Sequence, residues 1–284
     1  MAPKKGPTLR AQWLGKQLRE LREAAKLTLR DAGDYVQRDP AAISRWEQGL
    51  TPARAPDVLA LLNLYGVDDP ELRDGLERLS RDIWHKGWWD DYARETSGRV
   101  IDHAWLESRA EIVQSFDALV IPGLLQTPEY AEAVITAVDP DALEKYISRW
   151  VEFRMTRQQV LARDQPIQLT AVLDEAVLRR TVGGARVMRA QLEHLIQLGN
   201  HSNVTIQVLP FDAGAHASPH GAFMIFGMSA PYPDVAYAET HAGCIYVEAD
   251  GVESFARAYD QLQRAALSPK DSLSLILGIA QHTT

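Results

Sequence analysis

Apolar residues recur along the first part of the chain at helical spacing. Leu14, Leu18, Leu21 and Ala25 form one stripe, and Val58, Leu61, Leu62 and Tyr65 form another beyond Thr51-Pro52. Between them lies LTLRDAGDYVQRDPAAISRWEQG, residues 27–49. Thr28 can cap a helix whose buried positions are Leu29, Ala32 and Val36. Asp39-Pro40 then opens a second helix, with a capping carboxylate followed by proline at the first helical position. Ile43 and Trp46 face inward, and Gly49 supplies a left-handed stop after about two and a half turns. Two short helices joined by a tight turn, inside a bundle of five helices in about 80 residues, are predicted.

The rest of the chain reads differently. A helix is expected from Ala104 to Phe116, a turn at Pro122-Gly123, a helix opening at Thr127-Pro128 and another from Pro140 to Ala162. IQLTAVLDEAVLRR predicts a strand running into a helix, and Met188 to Leu198 a helix ended by Gly199-Asn200. VTIQVLP, AFMIFGM, VAYAE and CIYVE read as short strands, and helices near Ser254 to Ala266 and Ser272 to Ala280 close the chain. The predicted class is α+β: an all-α helix-turn-helix bundle over residues 1–80, then a mixed domain of helices and a mainly antiparallel sheet over residues 106–284. Residues 81–105 hold Trp84, Trp88, Trp89, Tyr92 and Trp105 and are expected to act as a linker or wedge between the two, since large aromatics dominate interface burial.

Charge sharpens the division. The whole chain carries −8, the wrong sign for a nucleic-acid binder, but residues 1–66 hold 11 Lys and Arg against 7 Asp and Glu, a formal +4 that leaves −12 for the remainder. The basic share sits with the helix-turn-helix, and an acidic second part repels nonspecific DNA and suits a basic protein surface. With 46% hydrophobic and 24% charged residues the composition is that of a globular protein. A single cysteine, Cys244, excludes an intrachain disulfide and fits a reducing compartment. The basic start MAPKKGPT has no apolar stretch, and no segment approaches the roughly 18 apolar residues of a membrane span, so a cytoplasmic protein is expected.

LGKQLRELREAAKLTLRDAG and ISRWEQG resemble the N-terminal domain of xenobiotic-response-element type helix-turn-helix regulators, relatives of phage repressors, over roughly residues 11 to 80. The resemblance implies that Arg22 pairs with Glu47, a structural contact. It also implies base contacts from the start and outward face of the second helix: Pro40, Ala41, Ser44 and Arg45, with Gln37, Arg38 and Gln48 nearby. Arg45 can donate twice to guanine O6 and N7, whereas Ala41 offers only a methyl contact to thymine. Thr28, Ser44 and Arg54 suit phosphate contacts, which set register without reading sequence. Three positions depart from the family: Gly33 replaces alanine at the tight helix contact, Gln37 the turn glycine, and Asp39 a serine or threonine. Gln37 would then need a left-handed backbone.

A second resemblance follows from PGLLQTPEYA, the Arg149 to Arg157 run ending RQQVL, LDEAVLRR, VGG and IQVLP in that order. Over roughly residues 84 to 280 the chain is similar to the C-terminal domain of actinomycete regulators called antitoxin-like, or WhiJ-like. What this implies is a repressor tuned by a small partner protein encoded beside it.

Three other constellations have residue types that can carry chemistry. Asp174 and Glu175, at a strand-to-helix junction, can be an acid–base pair or a helix cap with a first-turn charge. Gly183-Gly184 lacks the Lys-Ser/Thr of a phosphate loop and reads as a turn. His216, His220, His241 and Cys244 have zinc-like spacing, though Pro219 interrupts the first pair. Neither catalytic residues nor a cofactor or metal is predicted. The reading is a double-stranded DNA-binding repressor, homodimeric because one short helix needs a second half-site. The alternative gives the second domain a small-molecule pocket, favoured by a lining of Trp and Met.

Overall fold

The computed structural model describes residues 7–93, 95–96, 98–241, 243–248 and 251–283, so most of the basic start lies outside the described residues. The chain divides into two compact units, one formed by Met1–Leu106 with Ser229–Tyr232 and the other by the remainder.

Among the described residues, the first unit has five helices before residue 85: α1 (Leu9–Ala24), α2 (Leu29–Tyr35), α3 (Pro40–Glu47), α4 (Ala55–Leu64) and α5 (Pro70–Trp84). Their stripes bury Leu14, Leu18, Ala32, Ile43, Val58, Leu61, Leu62 and Leu79 almost completely. Backbone contact also matters. A Cβ on Gly15 would stand 2.4 Å from the Trp46 carbonyl oxygen, so only glycine lets α1 lie this close to the end of α3. A 3-10 turn follows at Trp88–Tyr92, and α6 (Gly98–Arg109) carries the chain onward. Trp105 packs edge-on to Trp13 at 5.8 Å and to Tyr232 at 5.3 Å, and the Tyr232 hydroxyl donates to the Asp82 carboxylate. The Arg10 guanidinium lies 5.1 Å from the Trp105 ring. Asp102 accepts from the Leu9 N–H at 3.0 Å and so ties α6 to the start of α1.

The second unit is built on a sheet in the order β3-β2-β1-β4-β5-β6, formed by β1 (Ala110–Asp117), β2 (Gln168–Asp174), β3 (Val204–Leu209), β4 (Phe223–Met228), β5 (Val235–Thr240) and β6 (Gly243–Glu248). It is mixed: β1–β2 and β2–β3 are parallel, whereas β4, β5 and β6 add antiparallel neighbours to β1. Helices α7 (Pro128–Val138), α8 (Glu144–Arg157), α9 (Glu175–Arg179), α10 (Ala185–Leu198), α11 (Val252–Ala265) and α12 (Pro269–His282) complete it. Phe116, Val172, Phe223, Tyr259 and Leu262 form one core between sheet and α11.

The expected helix through Phe116 is overturned. It stops at Arg109, and the next residue opens the central strand of the sheet, where Val113 and Phe116 are fully buried against β2 and β4. Ladder bonds to β2 on one side and β4 on the other satisfy the backbone of this segment while these two side chains are buried within the sheet. The helix expected from Pro140 begins at Glu144 and ends in a 3-10 turn at Gln158–Leu161.

Candidate nucleic-acid interface

Helix α2 opens with a reciprocal capping box. The Thr28 hydroxyl oxygen accepts from the Asp31 N–H at 3.2 Å, and the Asp31 carboxylate accepts from the Thr28 N–H at 2.8 Å and its hydroxyl at 2.7 Å. These bonds from Thr28 hold the Asp31 carboxyl below its usual range. The helix ends in a Schellman turn: the Arg38 N–H donates to the Gly33 carbonyl at 2.8 Å and the Gln37 N–H to that of Asp34 at 3.4 Å. Gln37 has φ 56°, the left-handed backbone that its position demands. Gly33 explains the exchange of residue types, because a Cβ there would sit 2.6 Å from the Arg38 carbonyl oxygen. The turn thus folds back onto α2 itself, and the side chain is given up at residue 33 instead of residue 37.

Helix α3 is framed as its sequence implies. Asp39 accepts from the Ala42 N–H at 2.5 Å, Pro40 occupies the first turn, and Gly49 ends the helix at φ 69°. Its inner side is locked by an ion pair. Arg22 donates to Glu47 through Nε at 2.6 Å and Nη2 at 2.9 Å, and through Nη1 to the Leu27 carbonyl at 2.7 Å. Hydrogen bonding to Glu47 holds the Arg22 guanidinium above its ordinary value, despite burial. The pair spans α1 and α3 and fixes the azimuth at which α3 presents its other face.

That other face is solvent-exposed. Pro40, Ala41, Arg45 and Gln48 are exposed and Ser44 is half-buried; Ala41, Ser44, Arg45 and Gln48 share one side of the helix. The Gln48 amide donates to the Ser44 hydroxyl at 2.8 Å, which orients both side chains. Gln37, Arg38, Thr28 and Arg54 are exposed on the flanking turns. Among the described residues, three arginines here have only long contacts to acids: Arg30–Asp34 at 3.8 Å, Arg38–Asp57 at 3.6 Å and Arg45–Asp39 at 3.9 Å. Exposed pairs of this kind are worth about 0–1 kcal/mol, so a phosphate or base edge displaces them at small cost. Arg54 instead lies 5.2 Å from the Trp84 ring. Sequence reasoning missed both Arg30 and this stacking; the one signal was an aromatic at the end of the fifth helix.

In the second unit, Asp174 caps α9 by accepting from the Ala176 N–H at 2.8 Å. Glu175 accepts from Arg179 at 2.6 Å and from the Phe211 N–H at 2.9 Å. Gly183 and Gly184, at φ 69° and 86°, form the turn into α10. His216 stacks edge-on to Phe116 at 5.2 Å and its Nδ1 accepts from the Ser218 N–H, while Cys244 lies beside the β5–β6 turn. Among the described residues, no three of His, Cys, Asp and Glu come together as a metal-holding group. A cleft of about 570 Å³ lies among α9, α10 and α12, lined by Met188, Leu178 and Ile279 with Arg179 and His282 also on its wall; its lining contains no tryptophan. No helix among the described residues is long and apolar enough to cross a membrane.

Residues 13–76 match a family described as Helix-turn-helix domain, and residues 100–278 match Domain of unknown function (DUF5753). The chain belongs to the DUF5753 family. Searches of curated proteins and of solved structures returned no match. In this DUF5753 protein the first unit is therefore a helix-turn-helix domain of the kind carried by DNA-binding transcriptional regulators, which points to a regulator rather than an enzyme.

Proposed function

We propose that this DUF5753 protein is a cytoplasmic, sequence-specific repressor that binds double-stranded operator DNA as a homodimer. The observation that carries the reading is the exposed side of α3, held in one orientation by the buried Arg22–Glu47 pair. Arg45 reads a guanine edge in the major groove, Ala41 and Pro40 sit against the neighbouring base, and Ser44 and Gln48 act as a coupled polar pair. Thr28, Ser44 and Arg54 contact phosphates and set the register, and Gln37 and Arg38 lie beside the base-reading residues. Because the Thr28 hydroxyl and N–H both already donate to Asp31, its phosphate contact costs one of those bonds.

The acidic remainder, at a formal −12, supports docking of a small basic partner protein, encoded nearby, that tunes operator affinity. The test is fluorescence anisotropy with a duplex from the protein's own promoter region and with scrambled DNA, at two salt concentrations, with and without that small protein. Salt-dependent preference for the promoter supports the operator reading, and a partner-induced change in that preference supports tuning. Equal affinity for both duplexes at either salt overturns sequence-specific binding.

A further inference from the structure

Helix α8 places Arg154 and Arg157 three residues apart, on one side of the helix. They are treated very differently. Arg157 is spent on Glu107, donating through Nε at 2.7 Å and Nη2 at 2.6 Å to a carboxylate that is fully buried. Arg154 has no carboxylate within ion-pair distance among the described residues. Its Nη1 donates at 2.8 Å to the Gln126 side-chain oxygen, a neutral acceptor.

Gln126 cannot turn away. It is 2% exposed, and its own Nε2 donates to the Ile121 carbonyl at 2.6 Å, which aims its oxygen at Arg154. Gln158 clamps the same loop by donating to the Gly123 and Gln126 carbonyls at 2.9 and 2.7 Å. The fully buried Tyr130 braces the loop as well, its hydroxyl oxygen accepting from the Ile121 N–H at 3.2 Å. Burial and the adjacent Arg157 together push the Arg154 guanidinium down to about 10, against weaker attraction from Glu239 and Glu107. Glu239 is exposed on β5, and Glu107 is already paired.

Guanidinium keeps its proton in proteins, so Arg154 cannot escape its environment by becoming neutral. A sunken cation held only by an amide oxygen is costly unless an anion completes it. We propose that Arg154, held in place by the fixed Gln126 amide, is the recognition site for one oxyanion group, a carboxylate or a phosphate, of a small-molecule ligand. The planar fork of the guanidinium suits two parallel bonds to such a group. Any effect of the ligand on DNA rests on the regulator reading; its binding does not.

The test uses the full chain and two probes, sodium acetate and sodium phosphate, each balanced with chloride to constant ionic strength, in thermal unfolding and calorimetric titration. Wild type is expected to show saturable binding of one or both probes, with Tm raised by about 5 °C at about 100 times Kd. The response to acetate alone identifies a carboxylate ligand, and the response to phosphate alone a phosphate ligand. Arg154→Met is expected to lose that response while unfolding in chloride at the same or a higher temperature than wild type, because it removes an uncompensated charge. Arg154→Lys should keep a weakened response. A large drop in the Tm of Arg154→Met in chloride, with neither probe shifting wild type, overturns the proposal and makes Arg154 a structural partner of Gln126. Operator binding measured with saturating probe is a separate readout: unchanged DNA affinity removes the regulatory link and leaves the site standing.

Discussion

Arg22 and Glu47, 25 positions apart, meet through two hydrogen bonds in a contact where their side chains are only 10% and 6% exposed. Removing one partner strands a buried charge, so Glu47→Ala should cost about 3–5 kcal/mol, and replacing both by methionine should cost much less. Thermal unfolding followed by circular dichroism gives the comparison. If the double variant unfolds as early as Glu47→Ala, the contact matters for packing rather than charge.

Arg45 and Arg54 are both exposed cations but are held differently, the first 3.9 Å from Asp39 and the second over the Trp84 ring. Arg45→Ala is expected to weaken operator binding by about 1–3 kcal/mol and to relax the preference at one base position. Arg54→Ala should weaken operator and scrambled duplex alike and lower the salt slope by about one. Trp84→Ala should reproduce part of the Arg54 effect by releasing its stacked platform. Equal losses on both duplexes for Arg45→Ala would remove it as the base reader.

Much of this interface is legible in the sequence because it is made by local chemistry. The caps at Thr28 and Asp39-Pro40 and the stop at Gly49 satisfy backbone groups within three or four residues, so residue type alone announces them. The sheet was less legible where neighbours decide. Strand β1 follows α6 with no proline or glycine between them, and its extended form is fixed by β2 and β4, which arrive later in the chain. Arg154 was also silent as a sequence feature, since the Gln126 that meets it lies 28 residues away and the Glu107 that engages its neighbour lies 50 from Arg157.

The exchange of glycine and side chain at the α2–α3 turn has two opposite consequences. Gln37 at φ 56° carries a strain of about 1 kcal/mol, so Gln37→Gly should stabilise the first unit by up to about that amount. Gly33→Ala would drive a Cβ into the Arg38 carbonyl at 2.6 Å, where the obstacle is backbone. A loss of about 2 kcal/mol or more is expected, as for overpacked cores. Chemical denaturation of both variants decides the matter. A neutral Gly33→Ala would mean that the turn opens easily, and Gln37→Gly should then bring no gain.

Stability should also fall as pH rises through the neutral range. Burial pushes the Asp117 carboxyl up to about 7, with the Ser115 hydroxyl pulling weakly the other way, and Asp117 Oδ2 has no hydrogen-bond partner. Asp102 is pushed up to about 6, again by burial, against the Leu9 N–H and Arg10. For each group the folded chain keeps a proton that the unfolded chain releases near pH 4, so folding binds protons and loses stability as pH climbs. The Asp117 contribution is complete below about pH 4, declines up to about pH 7 and is level above. Its upper bound is about 4 kcal/mol, reduced by water reaching the strand end. Asp117→Asn, neutral at every pH, should therefore equal wild type in acid and exceed it at pH 8. Unfolding free energies of the two proteins measured from pH 4.5 to 8.5 test this, and parallel curves would show that Asp117 ionises in the folded chain much as it does in the unfolded one.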